Sequence, residues 1–90
     1  DLTFEVSHVP GHSPDSISFY LKDELFLFSG DALFAGSIGR TDLPGGSHEQ
    51  LLDSIRENLY TLPDDVAVFP GHGPDTQIGK EKQSNPFCPA

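Results

Sequence analysis

Ninety residues with fourteen acidic side chains against five basic ones carry a formal charge of −9, a balance that repels polyphosphate and excludes nucleic acid as a partner. A chain this short buries only roughly 60–65% of its unfolded surface, so it makes one small domain with a marginal core. Its single cysteine, Cys88, leaves no disulfide to brace that core, and fits a reducing, cytoplasmic setting with the thiol on the solvent side. No apolar run approaches the ~20 residues of a membrane span, which argues against a membrane partner.

The chain has no methionine and opens on Asp1-Leu2-Thr3 already in strand pattern, so it reads as a piece of a longer protein. Leu2, Phe4 and Val6 alternate with polar residues, the pattern of a half-buried strand. Pro10 and Gly11 break it. Ser16–Phe28 reads as a hairpin. Ile17, Phe19 and Leu21 share one face of its first strand, Lys22-Asp23-Glu24 makes a polar turn, and Leu25–Phe28 is apolar enough to be covered on both faces. Asp31–Gly46 is glycine-rich and irregular, and its Leu33, Phe34 and Ile38 predict an ordered loop packed on something. Ser47-His48-Glu49-Gln50 is a capping box, with the Gln50 side chain expected to reach back to Ser47. It opens a helix that buries Leu51, Leu52, Ile55 and Leu59 on one face. Val66–Phe69 is the last strand expected, and the tail is expected to hold one helical turn and an extended end.

Two segments are nearly the same sentence. The strand-like run ending at Val9 leads into Pro10-Gly11-His12-Ser13-Pro14, and the run Val66–Phe69 leads into Pro70-Gly71-His72-Gly73-Pro74. Between them a third run ends in Ser29-Gly30-Asp31. Each run stops at a tight turn and presents one metal-capable side chain. His12, Asp31 and His72 are separated by 19 and then 41 residues, unlike the close ligand pairs of a zinc finger and suited to a site assembled on one edge of a sheet. Two imidazoles and a carboxylate accept zinc, iron or manganese, and a carboxylate can bridge two ions. Glycine lets the ligand loop turn sharply off its strand, and proline lowers the entropy cost of holding it. His8, on the approach strand, and His48, in the helix cap, are ordinary exposed histidines on this reading.

At these residues the chain resembles the metallo-β-lactamase superfamily, and most closely the short bacterial type II glyoxalases, the hydroxyacylglutathione hydrolases. The segments that carry the resemblance include Pro10–Ile17, Leu27–Phe34, Gly36-Ser37-Ile38-Gly39-Arg40-Thr41-Asp42, Phe69–Pro74, Ile78–Glu81 and Asn85-Pro86-Phe87. The resemblance implies an α/β fold, the C-terminal half of an αββα sandwich, with strands and one main outer helix. It also implies two divalent metal ions, zinc first with iron or manganese as alternatives. His12 would bind the first ion, Asp31 would bridge both and serve catalysis, and His72 would bind the second. Arg40 sits where glyoxalase-like enzymes place a basic residue against a substrate carboxylate; the alternative for Arg40 is an ion pair with Asp42.

The activity implied is hydrolysis of a small-molecule thioester such as S-lactoylglutathione. A mononuclear iron persulfide dioxygenase is the second possibility, because enzymes of that kind resemble the Gly39–Asp42 loop. The family's His-x-His-x-Asp-His motif is not among these ninety residues. Residues 1–90 are therefore expected to form a partial domain whose partner is the N-terminal half of the same domain, and to be inactive alone.

Overall fold

A computed structural model of the chain describes residues 4–90; the reading of Leu2 and Thr3 as strand falls outside them. The strands are β1 (Phe4–His8), β2 (Ile17–Leu21), β3 (Phe26–Gly30), β4 (Leu33–Phe34), β5 (Ser37–Ile38), β6 (Ala67–Pro70) and β7 (Thr76–Gln77). The helices are α1 (His48–Ser54), extended by a π-helical turn over Ile55–Leu59, and α2 (Ile78–Ser84).

Five strands form one mixed sheet in the order β1-β2-β3-β6-β7. β2 is antiparallel to β1 and β3, β6 is parallel to β3, and β7 is antiparallel to β6. A parallel pair needs a long crossover, and the β4–β5 hairpin and α1 supply it between β3 and β6. As a result β1, β3 and β6 all run the same way and finish at the same edge.

One sheet face is covered. Leu27 and Val68 point into a core completed by Leu51, Ile55 and Leu59 of α1, Ile78 of α2, and Val9, Leu33 and Tyr60. Ser47 caps α1 as its sequence predicts, its hydroxyl accepting from the Gln50 amide at 3.2 Å. The return bond from Gln50 has no donor left to meet, because the Ser47 amide donates to the Gly11 carbonyl at 2.7 Å.

The other face is bare, and here several expectations are corrected. β1 is not half-buried, since Phe4 and Val6 are 47% and 60% exposed. On β2 the buried residues are Ser18, Tyr20 and Leu21, while Ile17 and Phe19 look outward. β3 is covered on one face only, because Phe28 joins them. The serines can face the core because their hydroxyls are paired, Ser18 with the Ser29 carbonyl and Ser29 with the Leu33 carbonyl at 2.7 Å. Outside, the register sets Phe19 opposite Phe28, and the rings form a chain, Phe4 edge-on to Phe19 at 6.2 Å and Phe28 stacked on Phe69 at 5.5 Å.

Three further differences are local. The Asp31–Gly46 stretch contains the β4–β5 hairpin, which buries Leu33. β6 is followed by β7, and the tail folds into two turns of helix rather than one. Cys88 is buried rather than on the solvent side, because Asn85 Oδ1 accepts from the Phe87 and Cys88 amides and curls the chain end inward, where the Tyr60 hydroxyl donates to the Cys88 carbonyl at 2.7 Å. Among the described residues no helix is long and apolar enough to cross a membrane.

Candidate metal centre

The shared edge of β1, β3 and β6 carries the candidate ligands. β3 ends at Gly30, whose φ of 59° turns the chain so that Asp31 follows at the sheet edge. The Gly71 amide donates to the Gly30 carbonyl at 2.8 Å, which lays the chain after β6 beside Asp31 and places His72 next to it. The loop after β1 reaches the same place by lying on α1. Gly11 has φ 138°, and any β-carbon there would fall 2.3 Å from Leu51 Cβ.

His12 Nδ1 donates to the Arg40 carbonyl at 2.8 Å. That bond selects the tautomer with a lone pair on Nε2, and Nε2 lies 3.7 Å from Asp31 Oδ2. His72 approaches the other carboxylate oxygen, with Nδ1 3.3 Å from Oδ1. The His72 ring is 82% exposed and tilts against Phe34. Each imidazole therefore sits at its own oxygen of Asp31. Among the described residues no three His, Cys, Asp or Glu side chains close on a single point. The donor chemistry of two imidazoles and a carboxylate suits divalent cations.

These residues line a shallow pocket of about 250 Å³ with Phe34, Gly39 and Arg40. Gly39 is there for lack of space, since a β-carbon would meet the Asp31 carbonyl oxygen at 1.9 Å. Arg40 lies on the rim and pairs with Asp42 through two bonds of 2.8 and 2.9 Å. This pairing raises the Arg40 pKa and holds the Asp42 carboxyl below its ordinary value, mainly through the side-chain hydrogen bond. His8 lies away from the ligands, its Nε2 on the Pro14 carbonyl at 2.5 Å, which closes the His12 loop. His48 is the first residue of α1. Sequence reasoning did not find Phe34 or the role of the Arg40 carbonyl. Phe34 was visible only as one apolar residue in a loop, and a main-chain acceptor leaves no signal in residue type.

The metallo-beta-lactamase superfamily model matches residues 1–72. The chain belongs to the metallo-beta-lactamase superfamily. It is 54% identical over 83 residues to the probable metallo-hydrolase YqgX of Bacillus subtilis, covering 92% of this chain and 39% of that protein. It is 51% identical over 86 residues to the hydroxyacylglutathione hydrolase GloC of Haemophilus influenzae, covering 96% and 41%. Among solved structures, the BLEG-1 B3 metallo-beta-lactamase superposes with a TM-score of 0.93 at 56% identity, over 96% of this chain and 41% of that one. TTHA1623 in a di-iron-bound form gives 0.89 at 49% identity, over 93% and 42%. ETHE1 from Myxococcus xanthus gives 0.89 at 46% identity, over 96% and 39%. The chain thus spans about two fifths of the length of these proteins. Its α/β fold is that of the corresponding part of the superfamily fold.

Proposed function

We propose that this chain is the C-terminal half of a metal-dependent hydrolase acting on thioesters such as S-lactoylglutathione. The observation that carries the reading is the placement of Asp31 between two imidazoles, one at each carboxylate oxygen. The 51% identity to a hydroxyacylglutathione hydrolase supports the thioester class. Zinc is the first choice of metal and iron or manganese the alternatives; a pair of such ions would supply Lewis-acid polarisation of a carbonyl and a water that ionises near neutral pH.

The chain's own residues position and orient. His12 would hold one cation through Nε2, because Nδ1 is committed to the Arg40 carbonyl. Asp31 would offer one oxygen to each cation, and His72 would complete the second side. Arg40 would receive a substrate carboxylate, for which Asp42 competes. A thiol leaving group, with a pKa of about 8.5, departs as thiolate without a strong general acid.

The partner that completes the domain is the N-terminal half, and the cell compartment is the cytoplasm. The apolar surface of Phe4, Val6, Ile17, Phe19 and Phe28 supports the first, since patches of that kind mark surfaces that other protein covers. A lone cysteine supports the second. The ninety residues alone are proposed to be inactive. A second reading, a mononuclear iron persulfide dioxygenase-like enzyme, is favoured by the 46% identity to ETHE1.

The test is Asp31→Ala in the intact protein, with metal content, thioesterase turnover and oxygen uptake measured together. Two ions and thioester hydrolysis in the parent, both lost in the variant, support the proposal. One iron with oxygen consumption selects the second reading, and a variant that keeps metal and turnover removes Asp31 from the site.

A further inference from the structure

Glu81 is 1% exposed, yet it takes part in none of the ion pairs within 4 Å among the described residues. A buried carboxylate without a cation persists only if its lone pairs are used. They are. Oε1 accepts from the Gly36 amide and from Asn85 Nδ2, both at 2.9 Å, and Oε2 accepts from Thr76 Oγ1 at 2.5 Å. The three donors come from three segments: the β4–β5 turn, the strand entered from the His72 loop, and the residue that follows α2. Asn85 adds a second grip on the hairpin through the Ser37 carbonyl at 3.0 Å.

Both ends of the gripped hairpin belong to the candidate centre. Asp31 precedes β4, and the Gly39 amide donates to the Ala32 carbonyl at 2.9 Å to close the hairpin base. Arg40, whose carbonyl holds His12, comes next. On the other side, the His72 loop is fixed at its start by the Gly71–Gly30 bond, and Thr76 lies four residues beyond His72. The side chain of Glu81 thereby links the far end of that loop to the hairpin that carries Asp31.

We infer that Glu81 is a positioning residue that sets His72 against Asp31, holding the two sides of the centre at the separation metal binding needs. The inference rests on the metal reading of His12, Asp31 and His72, and the test keeps the two separable. In the intact protein, Glu81→Ala removes all three bonds. Glu81→Gln preserves them, because its amide oxygen accepts from Gly36 and Asn85 while its NH2 donates to a Thr76 hydroxyl that reverses its role.

The first arm needs no metal. Amide hydrogen exchange at Gly71, whose N–H is bonded to the Gly30 carbonyl, is expected to quicken at least fivefold in metal-free Glu81→Ala and to stay at the parent rate in Glu81→Gln. The second arm uses cobalt(II) alone. Glu81→Ala is expected to weaken cobalt(II) binding about tenfold and to shift the visible d–d bands, with Glu81→Gln restoring both. Thr76→Val, which removes one donor, gives a smaller change in the same direction and serves if Glu81→Ala does not fold. A parent protein that binds no cobalt(II), with the exchange arm as expected, overturns the metal reading and leaves the tether. Cobalt(II) binding by the parent with exchange rates and spectra unchanged in the variants overturns the tether, and shows that β7 pairing alone holds Thr76.

Discussion

Gly39→Ala is expected to be the most damaging single-methyl addition in the candidate centre. The new β-carbon would lie 1.9 Å from the Asp31 carbonyl oxygen and 3.3 Å from His12 Cβ. The first contact is with main chain, so no side-chain rotation relieves it; the strands of the hairpin base must part by roughly 1.5 Å to open 1.9 Å to an ordinary contact. That movement breaks the Gly39–Ala32 hydrogen bond. Overpacking costs about 1–3 kcal/mol and the lost bond about 1 kcal/mol, so a total near 2–4 kcal/mol is expected in urea unfolding of the intact protein. The same shift displaces the Arg40 carbonyl from His12 Nδ1, and a misplacement of this size at a reacting centre costs on the order of 100-fold in rate. Zinc affinity by chelator competition and thioesterase turnover should fall together. Gly71→Ala is the control, because its β-carbon would meet the movable Asp31 Oδ1 and the Gly30 carbonyl oxygen at 3.1 Å and should cost less. Parent stability and parent zinc affinity in Gly39→Ala would refute the steric argument.

Ser47→Ala removes the hydroxyl that caps the Gln50 amide and should cost about 1 kcal/mol in urea unfolding; no loss would mean that water replaces the cap. Burial pushes both the Tyr60 phenol and the Cys88 thiol above their ordinary pKa values. Raised acid groups favour the neutral form in the fold, so their stability contribution is complete below the unfolded values, roughly 8.5 and 10, and is lost as pH rises past them, by about 1.4 kcal/mol per pH unit for each group. Urea midpoints should therefore be flat from pH 6 to 8 and fall above. Tyr60→Phe should lessen the fall above pH 10, where the Tyr20 phenol, also raised by burial, still contributes, while costing about 1–3 kcal/mol at pH 7 through the unpaired Cys88 carbonyl. Asp42→Asn should leave stability within error, since the Arg40–Asp42 pair is exposed. It should lower KM for an anionic thioester with kcat unchanged; an unchanged KM would show that Arg40 does not meet the substrate.

The strands and the capped helix were legible in the sequence because their signals are local: alternation for β1 and β2, an apolar run for β3, a hydroxyl three residues before Gln50 for α1. Which face of the sheet is buried was not legible. Alternation names two faces, and hydrophobicity put Ile17 and Phe19 on the covered one, whereas this chain covers Ser18 and Tyr20 and leaves the phenylalanines bare. The β4–β5 hairpin was hidden because strands of two residues fall below any periodicity window. Cys88 read as terminal and exposed because the turn that buries it is made by an Asn85 side chain. The candidate ligands stood out through repeated turn chemistry. Glu81 did not, since Lys80-Glu81-Lys82 has the composition of a solvated surface, and only the fold turns its middle residue inward.

On the proposed reading, the bare sheet face and the open ligand set have one physical origin. A sheet with one uncovered apolar face leaves burial free energy unused, about 1 kcal/mol for each large side chain that a second layer would cover, since these are already part-buried at 39–60% exposed. A carboxylate with one imidazole at each oxygen leaves coordination positions unused. On the proposed reading the two deficits are met by the same event, because an N-terminal half that covered Phe19 and Phe28 would also bring new strand ends to the layer's edge. Metal binding and domain completion are then coupled, each drawing on a geometry the other stabilises. On this reading, the Pro-Gly-His turns hold half of a centre in register until the rest arrives.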